Sequence, residues 1–179
     1  MPILSIDPGL NNCGLCVCEK IDYYHVLYSD TIKNNRKFSD EEKITEEKYN
    51  SKTVKVLAIL KEIEKVLTLY SIDLVVIEAP FFNSLSPMAY SSLLEVCHAI
   101  KYNIIIPNNK TLLFMEPLLI KKLFTEKAQA NKLLMKEFLR KKKESHEILL
   151  PKELSELTEH EIDAIAIGFV YFNELEKTK

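Results

Sequence analysis

Apolar residues recur along the chain with two spacings, one typical of strands and one typical of helices. Residues 3–7 and 13–18 are rich in apolar and β-branched side chains and are joined by the turn-forming segment PGLNN. This pattern predicts an antiparallel β-hairpin. Residues 23–31 have the composition of a third strand, so the chain is expected to begin with a run of strands.

The middle of the chain predicts a helix followed by a buried strand. Residues 33–52 are polar and charge-rich, so they form either a loop or the exposed start of a helix. Residues 55–70 then carry apolar side chains at helical spacing. Residues 73–78, DLVVIE, are almost entirely apolar up to a final carboxylate, which is the pattern of a strand buried on both faces at the centre of a mixed sheet. Glu78 should therefore emerge at the C-terminal edge of that sheet.

The remaining sequence predicts helices around one more strand. The expected elements are a helix over 87–101, a strand over 111–116, basic helices over about 117–124 and 129–143, and a last helix that opens at Thr158. The order β-β-β-α-β-α-β-α-α predicts an α/β layered fold. A length of 179 residues fits one domain spanning 1–179.

Charge is distributed unevenly along the chain. Residues 110–143 hold ten Lys or Arg and three Asp or Glu, a local charge of +7, whereas the rest carries −9 and the whole chain −2. The basic segment is either a phosphate-binding face or a solvated helix face. No apolar run approaches the roughly 18 residues of a membrane span. An acidic residue also follows the N-terminus too closely for a signal peptide, so we expect a cytoplasmic protein with no membrane association.

Two carboxylates stand at predicted strand ends. Asp7 ends the first strand directly before a turn, where it either projects from the sheet edge or bonds to the backbone of the turn. Glu78 ends the buried strand and needs a partner, because burying an unpaired charge is expensive. The partner is a divalent cation, a lysine or a pair of backbone amides. The C-terminal ends of parallel central strands meet at one sheet edge, where ligand sites of α/β proteins collect.

The last predicted helix carries a third group of polar residues. Its apolar stripe packs it against the sheet and consists of Ile162, Ile165, Ala166, Phe169 and Val170. His160 and Asp163 are three residues apart and share a face, and Glu159 lies one turn before Asp163. Thr158 and Glu161 fit a capping box, which gives Glu161 a structural role. Because the helix dipole favours acids in a first turn, Glu159 also has a structural explanation, and Asp163 is the strongest acidic candidate.

Four side chains are therefore predicted to be catalytic and to bind metal: Asp7, Glu78, His160 and Asp163. Oxygen ligands with one imidazole suit Mg²⁺, for which Mn²⁺ can substitute. Two such ions ~3.5–4 Å apart would stabilise the attacking and the leaving oxygens of a phosphodiester hydrolysis. The pattern indicates a metal-dependent nuclease with water as the nucleophile.

Three short motifs, taken in order, resemble the RuvC family of Holliday junction resolvases: IDPG around Asp7, VVIEAPF around Glu78 and HEIDAIAIG around Asp163. The resemblance covers nearly the whole chain. It implies an RNase H-like fold with a five-stranded mixed sheet, the first three strands antiparallel, flanked by helices. It also implies a homodimer that nicks opposed strands of four-way junctions, with the three acids as metal ligands. His160 stands where many relatives carry Asp. A composition rich in Lys, Ile and Asn and poor in Gly is typical of an AT-rich genome, such as that of a phage.

The resemblance further implies residues that contact branched DNA. Phe81 matches an aromatic residue near the strand exchange point, where it would stack on an unpaired base. Ordinary core packing of Phe81 and a competing role for Phe82 stay open. Phosphate contacts are expected from Lys121, Lys122, Lys127, Lys132 and Lys136. The apolar segment 86–102 forms either the dimer helix or a core helix.

Three alternatives were weighed against a junction resolvase. An actin-like or sugar-kinase ATPase also begins with a strand-turn-strand unit, but it needs glycine-rich loops that a chain with three glycines cannot supply. Another RNase H-like nuclease, acting on RNA–DNA hybrids or in RNA processing, would share the metal site and differ in its substrate face. A noncatalytic protein that binds branched nucleic acid is the third, and the presence of Asp7, Glu78 and Asp163 counts against it.

Overall fold

The computed structural model describes residues 1–82 and 86–177 and shows a mixed β-sheet with helices on both faces. The strands are β1 (Ile3–Asp7), β2 (Asn12–Lys20), β3 (Tyr24–Lys33), β4 (Leu74–Glu78), β5 (Thr111–Met115) and β6 (Ile148–Leu149). The helices are α1 (Asp40–Lys48), α2 (Ser51–Leu69), α3 (Pro87–Ile100), α4 (Pro117–Thr125), α5 (Lys132–Glu144) and α6 (Glu159–Lys177). A π-helical turn, Lys101–Ile105, follows α3 directly.

The strands lie in the order β5, β4, β1, β2, β3, β6. β1, β2 and β3 pair antiparallel, whereas β4 runs parallel to β1 and to β5, and β6 runs parallel to β3. The predicted mixed sheet with three antiparallel first strands is confirmed. The expected count of five strands was wrong, because β6 adds a sixth. It has two residues, paired with Tyr24 and His25, and is too short to produce an apolar alternation in the sequence.

Alternate residues of the central strands face two different helical layers, as the two-residue period of a strand requires. On one face, Ile3, Cys16 and Cys18 pack with apolar residues of α4, α5 and α6. On the other face, Leu4 and Ile6 pack with residues of α2, α3 and the π-helical turn. The sheet is therefore covered on both sides, and polar side chains collect at its edges.

The segment 33–52, expected to be a loop or an exposed helix start, contains the end of β3, a loop, α1 and the start of α2. Ser39 begins α1 through a capping box with Glu42, and Asn50 caps α2. α1 buries no residue, which explains why its sequence shows no apolar stripe. In the part of the chain that the structure describes, no helix is both long and apolar enough to cross a membrane.

The last helix is fixed to the sheet by hydroxyl groups as well as by its apolar stripe. The Ser5 hydroxyl donates to the Ala164 carbonyl over 2.7 Å, and the Tyr24 hydroxyl donates to the Ile165 carbonyl over 3.0 Å. Gly168 lies where α6 crosses the sheet, and a Cβ there would come within 2.5 Å of the Tyr24 hydroxyl. These contacts fix the height and rotation of α6, and with them the position of the polar residues in its first turns.

Candidate active site

The ends of two parallel strands bring the first two predicted carboxylates side by side. β1 and β4 are neighbours, with Ile6 opposite Ile77. Asp7 directly follows Ile6 and Glu78 directly follows Ile77, so the two carboxylates are neighbours at the C-terminal edge of the sheet. The prediction that Glu78 would end a buried strand is confirmed, since Val75, Val76 and Ile77 are fully buried.

The first turns of α6 bring the remaining predicted residues to the same edge. Nδ1 of His160 donates a hydrogen bond to Oδ2 of Asp7 over 2.8 Å. Nε2 of His160 lies 3.6 Å from Oε1 of Glu159, and Glu159 in turn forms an ion pair with Lys132 at the start of α5. Asp163 lies one turn further along the helix, close enough for the charge of Asp7 to raise the pKa of Asp163. The four side chains predicted as one site therefore do lie together.

Burial and mutual repulsion raise the pKa of all three acids. Desolvation raises the pKa of Glu78 to about 8, with Asp7 and Asp163 adding to the shift. Desolvation also raises the pKa of Asp163 to about 6, with a further contribution from Asp7. For Asp7, burial again dominates and raises the pKa, although the hydrogen bond from His160 opposes it. Ionising all three acids together is therefore unfavourable in the fold by itself.

Lys121, which the sequence predicted only as a phosphate contact, lies at the same edge as the acids. Its charge lowers the pKa of Asp7, Glu78 and Asp163, so it is close to all three acids while remaining half-buried on α4. The hydrogen bond that His160 donates to Asp7 raises the pKa of His160, which favours the cationic imidazolium. Two cationic groups thus partly balance the three carboxylates.

Gly14 is a further residue of the site that sequence reasoning missed. It pairs with Asp7 across the β1–β2 hairpin, and a Cβ at this position would lie 2.1 Å from the backbone oxygen of His160. Only glycine allows the first turn of α6 to approach the end of β1 so closely. The available signal was a glycine in the interior of a strand, which often marks the close approach of another backbone.

Glu161 points away from the site, as its predicted capping role requires. Its carboxylate accepts from the backbone N–H of Thr158 over 2.9 Å and from the hydroxyl of Ser29 over 2.9 Å, and it forms an ion pair with Lys152. Burial raises its pKa, but these partners outweigh burial and hold the pKa below its usual value. Glu161 is therefore an ionised anchor that ties the start of α6 to β3.

The donor set suits a hard divalent cation, although the side chains do not yet converge on one point. In their present conformations, no three His, Cys, Asp or Glu side chains among residues 1–82 and 86–177 are arranged to hold a metal ion together. One oxygen of Asp7 and one nitrogen of His160 are engaged with each other. Carboxylate and imidazole donors are the ligands that Mg²⁺ and Mn²⁺ accept, and three mutually repelling acids gain from a shared cation. The chemistry of the donor set therefore fits such an ion.

The predicted DNA-binding residues are placed unequally around this site. Phe81 is 57% exposed, which excludes core packing for its ring, and Phe82 makes an edge-to-face contact with Tyr90. Lys132 reaches the site through Glu159. Lys122, Lys127 and Lys136 are exposed and make no contact with the carboxylates in the described part of the chain. The distal basic residues are neutralised by acidic neighbours; they are Arg140, Lys141, Lys142 and Lys143.

The side chains of Asp7, Glu78 and Asp163 are partly exposed at the edge of the sheet. A cavity of about 430 Å³ between β3, the loop that follows it and α2 contains none of them and is lined by Tyr28, Asp30 and Arg36 among others.

The sheet order and the placement of the acids define the RNase H-like fold, and comparisons with solved structures confirm it. Thermus thermophilus RuvC, in complex with a Holliday junction substrate, superposes with a TM-score of 0.70 at 19% identity, covering 99% of this chain and 96% of that one. The yeast mitochondrial Holliday junction resolvase Ydc2 superposes with a TM-score of 0.61 at 14% identity, covering 98% of this chain and 82% of that one. The fowlpox virus resolvase, in complex with Holliday junction DNA, superposes with a TM-score of 0.58 at 16% identity, covering 98% of this chain and 99% of that one.

No protein-family model matches the sequence, and no curated protein matches it by sequence. At identities of 14 to 19%, the structural likeness establishes the fold, which is that of the RuvC-type Holliday junction resolvases. The resemblance predicted from the three acidic motifs is thus confirmed at the level of the fold.

Proposed function

We propose that this protein is a metal-dependent endodeoxyribonuclease that resolves four-way junctions, and other branched DNA, as a homodimer in the cytoplasm. The observation that carries the proposal is the placement of Asp7, Glu78 and Asp163, from β1, β4 and α6, at one edge of the sheet, within a fold that matches junction resolvases over 98 to 99% of the chain. The extent of that match supports one domain spanning 1–179.

The three acids and His160 are proposed to hold Mg²⁺, with two ions in the loaded site and Mn²⁺ as a substitute. Ions held there would lower the pKa of a bound water and stabilise the charge on the leaving oxygen. Loading requires the Asp7 carboxylate to leave its hydrogen bond with His160, because that bond occupies an oxygen facing the site.

The surrounding side chains position the substrate. Lys121 lies beside the acids and is placed to contact the phosphate that is cut, since its ammonium already faces that cluster of charge. Lys132 is held by Glu159 in the free protein and can exchange that carboxylate for a DNA phosphate. With Lys136 one turn further along α5, these residues form a basic flank on one side of the site.

Two exposed features support recognition of a branch point by a dimer. Phe81 projects from the segment directly after β4, three residues from Glu78, where its ring is available to stack on an unpaired base. On α3, Val96 and Cys97 are buried in the core of their own chain, whereas Tyr90 and Leu94 remain partly exposed and line a shallow groove. We propose that this outer face of α3 pairs with its copy in the homodimer.

The test is a cleavage assay with four labelled substrates: a four-way junction, a flap, a plain duplex and an RNA–DNA hybrid. Each is incubated with Mg²⁺, with Mn²⁺ and with chelator. Paired, metal-dependent nicks near the branch point, with duplex and hybrid spared, are expected. Cutting of the hybrid alone would instead indicate an RNase H-type enzyme. Tight junction binding without any cutting would indicate a noncatalytic binding protein.

A further inference from the structure

A cleft of about 430 Å³ opens next to the candidate active site. One wall is the turn between β1 and β2, which contributes Leu10 and Asn11. The other wall is the start of α3, which contributes Met88 and Leu93. His160 lines the cleft and also bonds to Asp7. The cleft and the carboxylates therefore share a residue, so a strand bound at the acids would pass next to the cleft.

The turn that forms one wall is held rigidly. Asn34 is 2% exposed, and its side-chain N–H groups donate to the carbonyls of Leu10 over 2.9 Å and of Lys55 over 3.1 Å. The backbone N–H of Asn34 donates to the Asn11 carbonyl over 2.8 Å. A buried amide that binds two carbonyls from different elements fixes the turn against α2. The wall is therefore preorganised, which lowers the cost of binding.

The orientation of the Asn11 amide is set by a lysine. The ammonium of Lys55 donates to Oδ1 of Asn11 over 2.6 Å. Lysine can only donate, so the oxygen of the amide must face it and the NH₂ group must face the other way. In the described part of the chain this NH₂ group has no acceptor. Asn11 thus presents an oriented donor at the wall of the cleft.

The opposite wall is apolar and exposed. Met88 is 79% exposed on the first turn of α3, and Leu93 lies half-buried one turn further on. A flexible thioether on an open surface adapts to a flat apolar partner. A cleft of this volume is in the range of ~300–1,000 Å³ that holds small ligands, with apolar walls for contact and few polar groups for selectivity.

We propose that this cleft binds the base of one nucleotide next to the phosphate that is cut, with Asn11 as the residue that distinguishes between bases. The inference rests on the proposed function, because it takes the strand at the carboxylates to be the one that is cut. The base lies between Met88 and the turn, and the Asn11 NH₂ group donates to an acceptor on its edge. Bases that offer no acceptor there leave a donor unpaired, so they are cut more slowly.

The experiment compares cleavage rates on four-way junctions that differ only in the base pairs flanking the cut. Wild-type protein, Asn11→Asp, Met88→Ala and the control Asn35→Asp are compared with Mg²⁺ present. Asn35 is exposed in the loop after β3 and outside the cleft. Asn11→Asp keeps the shape and the contact with Lys55 but replaces the NH₂ donor by an acceptor oxygen, so the fold is expected to persist.

The wild type and Asn35→Asp should share one profile, with rates differing by about tenfold between bases at one flanking position, as expected from one hydrogen bond. Asn11→Asp should prefer a different base at that position, and Met88→Ala should be slower with every base. An unchanged profile in Asn11→Asp, or no dependence on the flanking bases, would overturn the inference while leaving junction cleavage standing. Failure of the wild type to cut any junction would overturn the proposed function, and this inference with it.

Discussion

Replacing Glu78 by Gln should stabilise the protein when no metal is present. Glu78 sits at the end of a fully buried stretch of β4 and faces Asp7 and Asp163, which both oppose its ionisation. Gln keeps the shape of the side chain and removes the charge. Replacing a residue that only supports the fold would destabilise the protein. An increase in stability therefore identifies an acid that is retained for function at a cost in stability.

The size of the effect follows from the pKa of Glu78, which burial and the two neighbouring acids raise from 4.5 to about 8. Between these values the folded chain keeps a proton that the unfolded chain has lost. The free energy of unfolding therefore falls as the pH rises through this window. At about 1.4 kcal/mol per pKa unit, the ionised site costs the metal-free fold about 4 kcal/mol at pH 8. Desolvation of the new amide reduces the net gain to about 2–3 kcal/mol.

The assay is calorimetric unfolding in chelator at pH 8 and pH 5. A gain of this size in a chain of 179 residues corresponds to a rise in Tm of roughly 5–10 °C at pH 8. The difference in Tm between Glu78→Gln and the wild type should be smaller at pH 5. At that pH Glu78 is protonated in the folded state, and in the unfolded state it is ionised in most but not all molecules. Glu47→Gln, on the exposed face of α1, is the matched control and should leave Tm unchanged. A Glu78→Gln protein that melts at or below the wild-type temperature at pH 8 would show that the Glu78 carboxylate does not destabilise the metal-free fold.

Three further variants test the rest of the site. Gly14→Ala places a Cβ 2.1 Å from the His160 backbone oxygen, so α6 must shift by about 1 Å. Single-turnover cleavage should then fall ~100-fold. An unchanged rate would contradict the close approach of α6 to Gly14. His160→Asp introduces the acid that the resemblance implies at this position and should keep Mg²⁺-dependent cleavage, so a folded but inactive variant would show that Asp and His are not interchangeable there. Lys132→Gln should reduce the slope of log Kd for junction DNA against log salt by about 1, whereas Lys65→Gln on α2 should not, and equal slopes would remove Lys132 from the interface.

The fold and the three acids could be predicted from the sequence because their signals are local. The run of apolar residues before Glu78 reports a strand buried on both faces, and the stripe on α6 reports a helix against a sheet. An acid that ends or interrupts such a pattern stands out. The capping box formed by Thr158 and Glu161 was equally predictable, because it spans one turn.

The features that could not be predicted depend on contacts between distant parts of the chain. The hydrogen bond between Asp7 and His160 joins residues 153 positions apart, and Lys132 and Glu159 are 27 positions apart. The strand β6 is stabilised by its pairing with β3 and by the burial of Ile148 in the core, which are both contacts with distant residues. Gly14 carries a local signal but no information about which backbone approaches it. The local charge of +7 over 110–143 overstated the basic face, because its distal part is paired with acids.

Asp7, Glu78 and Asp163 are proposed to form the metal site of a junction-cutting enzyme. The most direct test measures cleavage and binding of a four-way junction in parallel, for the wild type and for Asp7→Asn, Glu78→Gln and Asp163→Asn, with Mg²⁺ present for cleavage. Each variant removes negative charge from the site and leaves the basic flank intact, so cleavage should be lost while the Kd for the junction stays within a few-fold of wild type. Loss of binding in all three folded variants, or cleavage that survives in any of them, would contradict the account.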